Sequence, residues 1–167
     1  FFLIFFFNFS VFASNIRVVS LEKIIQNNKY MLILYEQINE DQKNYTKNFN
    51  FQEKDLEKDL GRINDLKLIL ENTEFEKEVN TYNKKLNDFN IIINKFNSHY
   101  EIQMNDFRNI LISNILEILK KYSLNNKIDL ILDANNYILS SGSIDITDII
   151  LKELNKIEID FKFKKYE

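Results

Sequence analysis

The sequence predicts an α+β fold that is mostly α: a long antiparallel coiled-coil hairpin projecting from a small β-body. Two observations carry this expectation. The 167 residues include no proline and only two glycines, Gly61 and Gly142, so turns are few and elements run long. Apolar residues in the middle of the chain recur at heptad spacing, while short runs near both ends alternate apolar and polar residues at the period of a strand.

The helical arm is expected from about residue 40 to 122. In its outgoing half Leu56, Leu60, Ile63 and Leu70 recur at steps of four, three and seven. After the polar stretch Glu71-Asn72-Thr73-Glu74 the rhythm is cleaner: Phe75, Val79, Tyr82, Leu86, Phe89, Ile93, Phe96 and Tyr100 alternate steps of four and three, and Phe107 follows one heptad on. Sustained heptads with charges between them are the signature of a coiled coil, and the polar stretch between the two runs turns the chain back on itself. At about 1.5 Å per residue each helix spans on the order of 50 Å. A hairpin of that length buries one narrow seam. Phe51, Ile91, Ile92 and Ile102 fall off the strict heptad, so they are expected outside that seam. Exposed apolar surface of this kind marks binding, which makes these four the candidate binding residues. Gly61 costs about 1 kcal/mol relative to Ala inside a helix and either permits a local bend or is simply tolerated. His99, beside Tyr100, reads as an ordinary flank position rather than a ligand or a pH switch.

The body is expected from strands at 16–21 and 128–140. Ile16-Arg17-Val18-Val19-Ser20-Leu21 is a short β-type run, after which Ile24, Ile25 and residues 30–38 follow a helical rhythm. Towards the other end Ile128, Leu130 and Leu132 share one face of a strand. Asn135-Asn136 suit the positive φ angles of a tight hairpin turn, and Tyr137-Ile138-Leu139-Ser140 reads as the partner strand. Past Ser141-Gly142-Ser143, Asp145 is expected to cap a helix over 145–156, with Ile146, Ile149, Ile150 and Leu154 as its buried face and Asp148 in its first turn. Ile157, Ile159, Phe161 and Phe163 then alternate with charged residues. The tail at 158–167 therefore reads either as an added strand covering an edge of the body or a neighbouring subunit, or as a disordered end.

The absences narrow the chemistry. Without cysteine there is no thiol nucleophile, redox pair or zinc knuckle. One histidine cannot form a paired-histidine zinc motif, and two distant glycines cannot build a phosphate loop. No Gly-x-Ser-x-Gly elbow exposes a serine. Glu74, Glu76 and Glu78 lie on a charged helix and read as a solvated face. No catalytic activity, metal or cofactor is expected. A net charge of −3 gives no electrostatic footprint for nucleic acid. Asparagine, at 24 residues, fills exposed sites in the manner of an AT-rich genome, so the sequon Asn44-Tyr45-Thr46 carries no weight.

Residues 1–13, FFLIFFFNFSVFA, are uncharged and almost wholly apolar. As a helix they would cover roughly 20 Å, short of a bilayer core of about 30 Å. They read as the core of a secretory signal, with Val11 and Ala13 as the small residues before cleavage and Ser14 as the mature start. The basic leader and the initial Met are missing, so the sequence is expected to be truncated at this end. The alternative is a buried N-terminal helix. An exported chain without disulfides is expected to gain its core by association.

In this order of elements the chain resembles the Skp/OmpH family of periplasmic chaperones. The stronger match is IDLILDANNYILSSGSIDITDIILKELNK, residues 128–156; the weaker is IRVVSLEKII, residues 16–25. The resemblance implies a jellyfish-like homotrimer whose body strands contain Ile16, Val18, Ile128, Leu130 and Leu132. It also implies three helical arms that hold unfolded outer-membrane proteins without ATP on their way through the periplasm. Well-known members are strongly basic, a property thought to attract acidic partners and lipopolysaccharide. Residues 40–110 here hold 11 basic and 14 acidic residues, so no residue is assigned to lipopolysaccharide. The tail lies beyond the usual family end. Two other readings share the hairpin. A structural coiled-coil spacer or scaffold of the cell envelope would keep its apolar residues in the seam. A prefoldin-like cytosolic holder would lack an export signal, and residues 1–13 count against it.

Overall fold

The structure, a computed structural model, describes residues 14–167. The leader at 1–13 and the cleavage point expected after Ala13 lie outside the described residues. In chain order the elements are strand β1 (Ile16–Val19), helix α1 (Leu21–Gln26), the long helices α2 (Lys29–Leu66) and α3 (Asn72–Asn126), strand β2 (Leu130–Asp133) and helix α4 (Thr147–Leu154), with short 3-10 turns at Ala134–Asn136 and Gly142–Ile144. They fall into two compact units. One contains the described residues up to Asn28 together with Ile110–Glu158; the other contains Lys29–Asn109 together with Ile159–Glu167.

The first unit is built around a parallel pair. β1 and β2 run side by side with Val18 opposite Leu132, and the Val18 carbonyl accepts the Ile146 N–H at 2.9 Å. Side chains at the strand ends fix the register. The Asp129 carboxylate accepts the Asn15 N–H at 2.7 Å, the Asp133 carboxylate accepts the Leu21 N–H at 3.1 Å, and the Thr147 hydroxyl accepts the Ser20 N–H at 2.9 Å. Ser20 also caps α1 by accepting from the Lys23 N–H. α3 ends with Lys127 at a φ of 51° and the Ile128 N–H bonded back to Ser123 O, the 6→1 closure of a left-handed cap. The Asn15 amide donates to the free carbonyls of Asn126 and Lys127. Val18, Ile24, Ile25, Leu111, Ile115 and Ile150 are among the side chains buried here.

Two expectations for this unit need correction. Asn135-Asn136 do not make a tight hairpin: Lys127 is the sole non-glycine at positive φ among the described residues. The Asp133 carboxylate instead accepts the Asn135 N–H and starts a 3-10 turn. Tyr137 to Ser140 consequently finds no strand to pair with and is not itself a strand. The helix expected over 145–156 is the shorter α4. Asp145 caps it from just outside, accepting from the Thr147 N–H at 2.8 Å. Its buried face is Ile146, Thr147, Ile150 and Leu154, while Ile149 is exposed. Thr147 replaces Ile149 because its hydroxyl has partners inside, Asp145 and the Ser20 N–H.

In the second unit α2 and residues 72–109 of α3 form an antiparallel hairpin. The heptad residues of α3 from Phe75 to Tyr100 are all buried or half-buried, and Phe107 is fully buried. α2 begins at Lys29, ahead of the expected arm, because Met31, Leu34 and Ile38 continue without a break into Asp41, Tyr45 and Phe49 at steps of three and four. The turn occupies residues 67–71, and Asn72 to Glu74 open α3 rather than forming the turn. Leu60 is exposed; beside it the Asp59 carboxylate takes the half-buried position and accepts from Lys85 at 2.7 Å. Arg62 and Glu78 pair at 2.8 Å across the same helices. Gly61 has open space where a side chain would stand, so no close approach requires it.

The face assigned to α4 can be tested by substitution. Ile150→Ala should cost about 2–5 kcal/mol in urea unfolding, as expected for a buried aliphatic, whereas Ile149→Ala should stay within roughly 0.5–1 kcal/mol. Equal losses would show that Ile149 is packed.

Candidate functional site

The four off-heptad residues all lie in the second unit and all are exposed: Phe51 at 64%, Ile91 at 42%, Ile92 at 39% and Ile102 at 60%. On α3 the eleven-residue spacing of Ile91 and Ile102 is about three helical turns, so they share one face. They do not converge on a single pocket. Ile92 lines a cleft with Leu56, Phe89, Asp59 and Lys85, and Ile102 lines another with Gln103, Asp106 and Phe161. Asp59 is held below the usual carboxylate range chiefly by the hydrogen bond from Lys85, so the first cleft has a fixed ion pair beside its apolar wall.

Of the five residues expected in the body, Val18 and Ile128 are buried, Ile16 and Leu132 are half-buried, and Leu130 is 46% exposed. Ile138 and Leu139, next to the strand pair, are exposed at 104% and 89%. This unit therefore carries uncovered aliphatic surface beside a sheet of two strands.

A denser site lies farther along the hairpin, where the C-terminal tail is seated. Residues from Ile159 onward belong to no helix or strand and lie in the same unit as α2 and residues 72–109 of α3. Phe161 packs on Phe107 with ring centres 4.6 Å apart, and Phe163 stacks at 6.3 Å and 13° on Tyr100. Tyr166 meets Phe96, Tyr45 and His99 edge to face at 5.2, 5.4 and 5.6 Å. Side chains of the helices also bond the tail's backbone. Gln103 accepts the Lys164 N–H at 2.7 Å and donates to the Lys164 carbonyl at 2.9 Å. His99 Nε2 lies 2.8 Å from that carbonyl. Asp41 accepts the Tyr166 N–H at 3.1 Å, and the Tyr45 hydroxyl donates to the Tyr166 carbonyl.

Asp41 and Gln103 are buried polar residues on faces otherwise filled by apolar side chains. Asp41 also accepts the Tyr100 hydroxyl at 2.7 Å. Burial first, and the Asp41 carboxylate second, push the ionisation of Tyr100 well above the ordinary tyrosine range. The sequence reading passed over Asp41, Tyr45, Phe49 and Gln103. The signal that identifies them is the seam rhythm itself, extended backwards from Leu56 and forwards from Tyr100 through polar members. Among the described residues no cluster of acidic, histidine or cysteine side chains could hold a metal, and no helix is long and apolar enough to cross a membrane.

Comparison with known proteins is consistent with this architecture. The family described as outer membrane protein (OmpH-like) matches residues 15–154. No curated protein sequence matches the chain. A crystal structure from Caulobacter crescentus, of a protein proposed to be an OmpH-like outer membrane chaperone, superposes with a TM-score of 0.67 at 12% identity, covering 93% of this chain and 92% of that one. At that identity the superposition establishes a shared fold.

The burial of Tyr100, together with its bond to Asp41, makes stability fall at alkaline pH. An unfolded tyrosine ionises near pH 10, and Tyr100 in the folded chain ionises higher. Its neutral form thus stabilises the fold below about pH 10, and that contribution is lost as pH rises through the native ionisation. The melting temperature should fall above pH 10, and more gently in Tyr100→Phe, which cannot ionise. Equal slopes in the two proteins would show that Tyr100 is not held neutral.

Proposed function

The chain belongs to the OmpH-like outer membrane protein family, and from that premise we propose that it is an ATP-independent holding chaperone of the periplasm, binding unfolded outer-membrane proteins in transit to the outer membrane. The observation that carries the reading is the exposed aliphatic and aromatic set on the long hairpin, Phe51, Ile91, Ile92 and Ile102. A spacer built on the same seam has no use for apolar side chains outside it. A holder does, because an unfolded membrane protein offers apolar segments at many points. Binding by several modest patches gains avidity when the patches are presented together, yet each contact remains weak enough to release. Charge adds little, since residues 40–110 hold 11 basic and 14 acidic side chains. Residues 1–13 serve in this reading as a cleaved export signal.

The same proposal makes the protein a homotrimer. A parallel pair of strands is stable when both faces and edges are covered, and here Leu130, Ile138 and Leu139 remain uncovered. Strands contributed by three chains, with Ile16, Val18, Ile128, Leu130 and Leu132 in the body, would close a shared core. They would also give the 137–140 segment the strand partner it lacks within one chain.

Two measurements test this. Light scattering of the mature protein should give a trimer, and Leu130→Asp should dissociate it by placing a charge in the shared core; a folded, monodisperse monomer of the parent would refute the assembly. In an aggregation assay with an unfolded outer-membrane barrel, replacing Phe51, Ile91, Ile92 and Ile102 together by Ser should weaken protection several-fold while helicity and mass stay unchanged. Raising salt should weaken protection only modestly. A parent protein that gives no protection would overturn the chaperone reading.

A further inference from the structure

We infer that the groove between α2 and α3 around Asp41, Tyr45, Tyr100 and Gln103 is a binding site for an extended polypeptide strand with alternating apolar and polar side chains, and that the C-terminal tail occupies it as a built-in stand-in for such a strand. The inference rests on the holding function proposed above and names the part of an unfolded barrel that the arm would recognise.

The tail shows what the groove selects. Ile159, Phe161, Phe163 and Tyr166 turn inward, while Asp160, Lys162, Lys164 and Lys165 are exposed, a period of two with one slip before Tyr166. The helices grip the two faces of this pattern differently. Phe107, Tyr100 and Phe96 provide aromatic seats for Phe161, Phe163 and Tyr166 in succession. The main chain at residues 164 and 166 is held by side chains. The Gln103 amide takes both the N–H and the carbonyl of Lys164, as a neighbouring strand would. Asp41 and Tyr45 do the same jointly for Tyr166. Main-chain groups are common to every sequence, so these bonds read extended conformation and register rather than residue identity. The aromatic seats read alternation.

The buried polar residues give a second, independent argument. A seam position normally takes an apolar side chain, and a buried polar group without partners is destabilising. Asp41 and Gln103 are 5% and 8% exposed, and both complete their bonding on the tail's backbone. Their placement suits a groove made to hold a strand. A transmembrane β-strand is a segment of about ten residues with this alternation, so an unfolded outer-membrane protein offers many segments that fit, and the tail would compete with them.

The chain has no cysteine, so Glu167→Cys in the full-length, assembled protein gives a unique site for a spin label one residue beyond Tyr166. The label should be immobile at rest. It should become mobile in proportion to an unfolded eight-stranded outer-membrane barrel diluted from urea, and also on adding a ten-residue peptide of alternating apolar and polar residues. The same barrel already folded in detergent should leave it immobile. Replacing Phe161, Phe163 and Tyr166 by Ser should free the label at rest and tighten client binding several-fold, because the competitor is gone. Gln103→Leu, which keeps the seam filled, should weaken binding of the alternating peptide roughly three- to tenfold through the lost backbone bonds. A label already mobile at rest overturns the inference. So does a client that is protected from aggregation while the label stays immobile, and that outcome leaves the holding function standing. If no version protects the client, the holding function itself fails and this inference falls with it.

Discussion

The seam between α2 and α3 admits side chains only where one helix faces the other, every third or fourth residue, and most of the second unit follows from that limit. On α3 those places are filled by Phe75, Val79, Tyr82, Leu86, Phe89, Ile93, Phe96 and Tyr100. On α2 they fall to a more mixed set in which Phe49 meets Phe96 and Phe89 edge to face at 4.9 and 6.3 Å. Two helices can enclose one row of contacts and no more. Every further apolar residue has to remain in water, find a third segment, or find a partner. Phe51, Ile91, Ile92 and Ile102 take the first course; the aromatic seats under the tail take the second.

The same limit explains which parts of the fold could be read from sequence. The returning helix was legible because its heptads run uninterrupted from Phe75 to Tyr100, every member aromatic or aliphatic. In the outgoing helix the rhythm of residues 30–38 was legible, but its unbroken continuation into the arm was not, because the next seam positions include Asp41 and Tyr45 and a count of apolar spacing stops at the first carboxylate. Asp41 can occupy such a place because the Tyr100 hydroxyl and the Tyr166 N–H both donate to it, and both donors come from distant parts of the chain. Gln103 was missed for the same reason. The exposure of the four off-heptad residues was legible, since it depends only on their offset from the rhythm.

In the first unit the failure was of another kind. Alternation in Tyr137-Ile138-Leu139-Ser140 describes a segment able to pair, and pairing also needs a neighbour with free backbone groups. β2 pairs with β1, in parallel, and the Asp133 carboxylate diverts the chain into a 3-10 turn before it can fold back along the other edge of β2. Local pattern therefore fixed conformational preference while long-range pairing decided the outcome. The tail illustrates the converse: its alternation is kept, with Ile159, Phe161 and Phe163 inward, although its partner is a pair of helices rather than a sheet.

A helix is an unusual host for a strand, and the chemistry of the groove follows from that. All main-chain groups in the middle of α2 and α3 are engaged in their own i→i−4 bonds, so neither helix has an edge to offer. A guest's backbone can be satisfied only by side chains, and only where a side chain of the right length stands at the seam. Gln103 has both a donor and an acceptor on one planar group; Asp41 supplies an acceptor and Tyr45 a donor. Two residues of the guest, Lys164 and Tyr166, are held in this way. A full β-ladder would bond every second residue along its length and would bind far more tightly. A groove that grips two backbone positions and seats three aromatic rings orders an extended segment with few bonds. The proposed holder, releasing its client without an energy source, requires that balance.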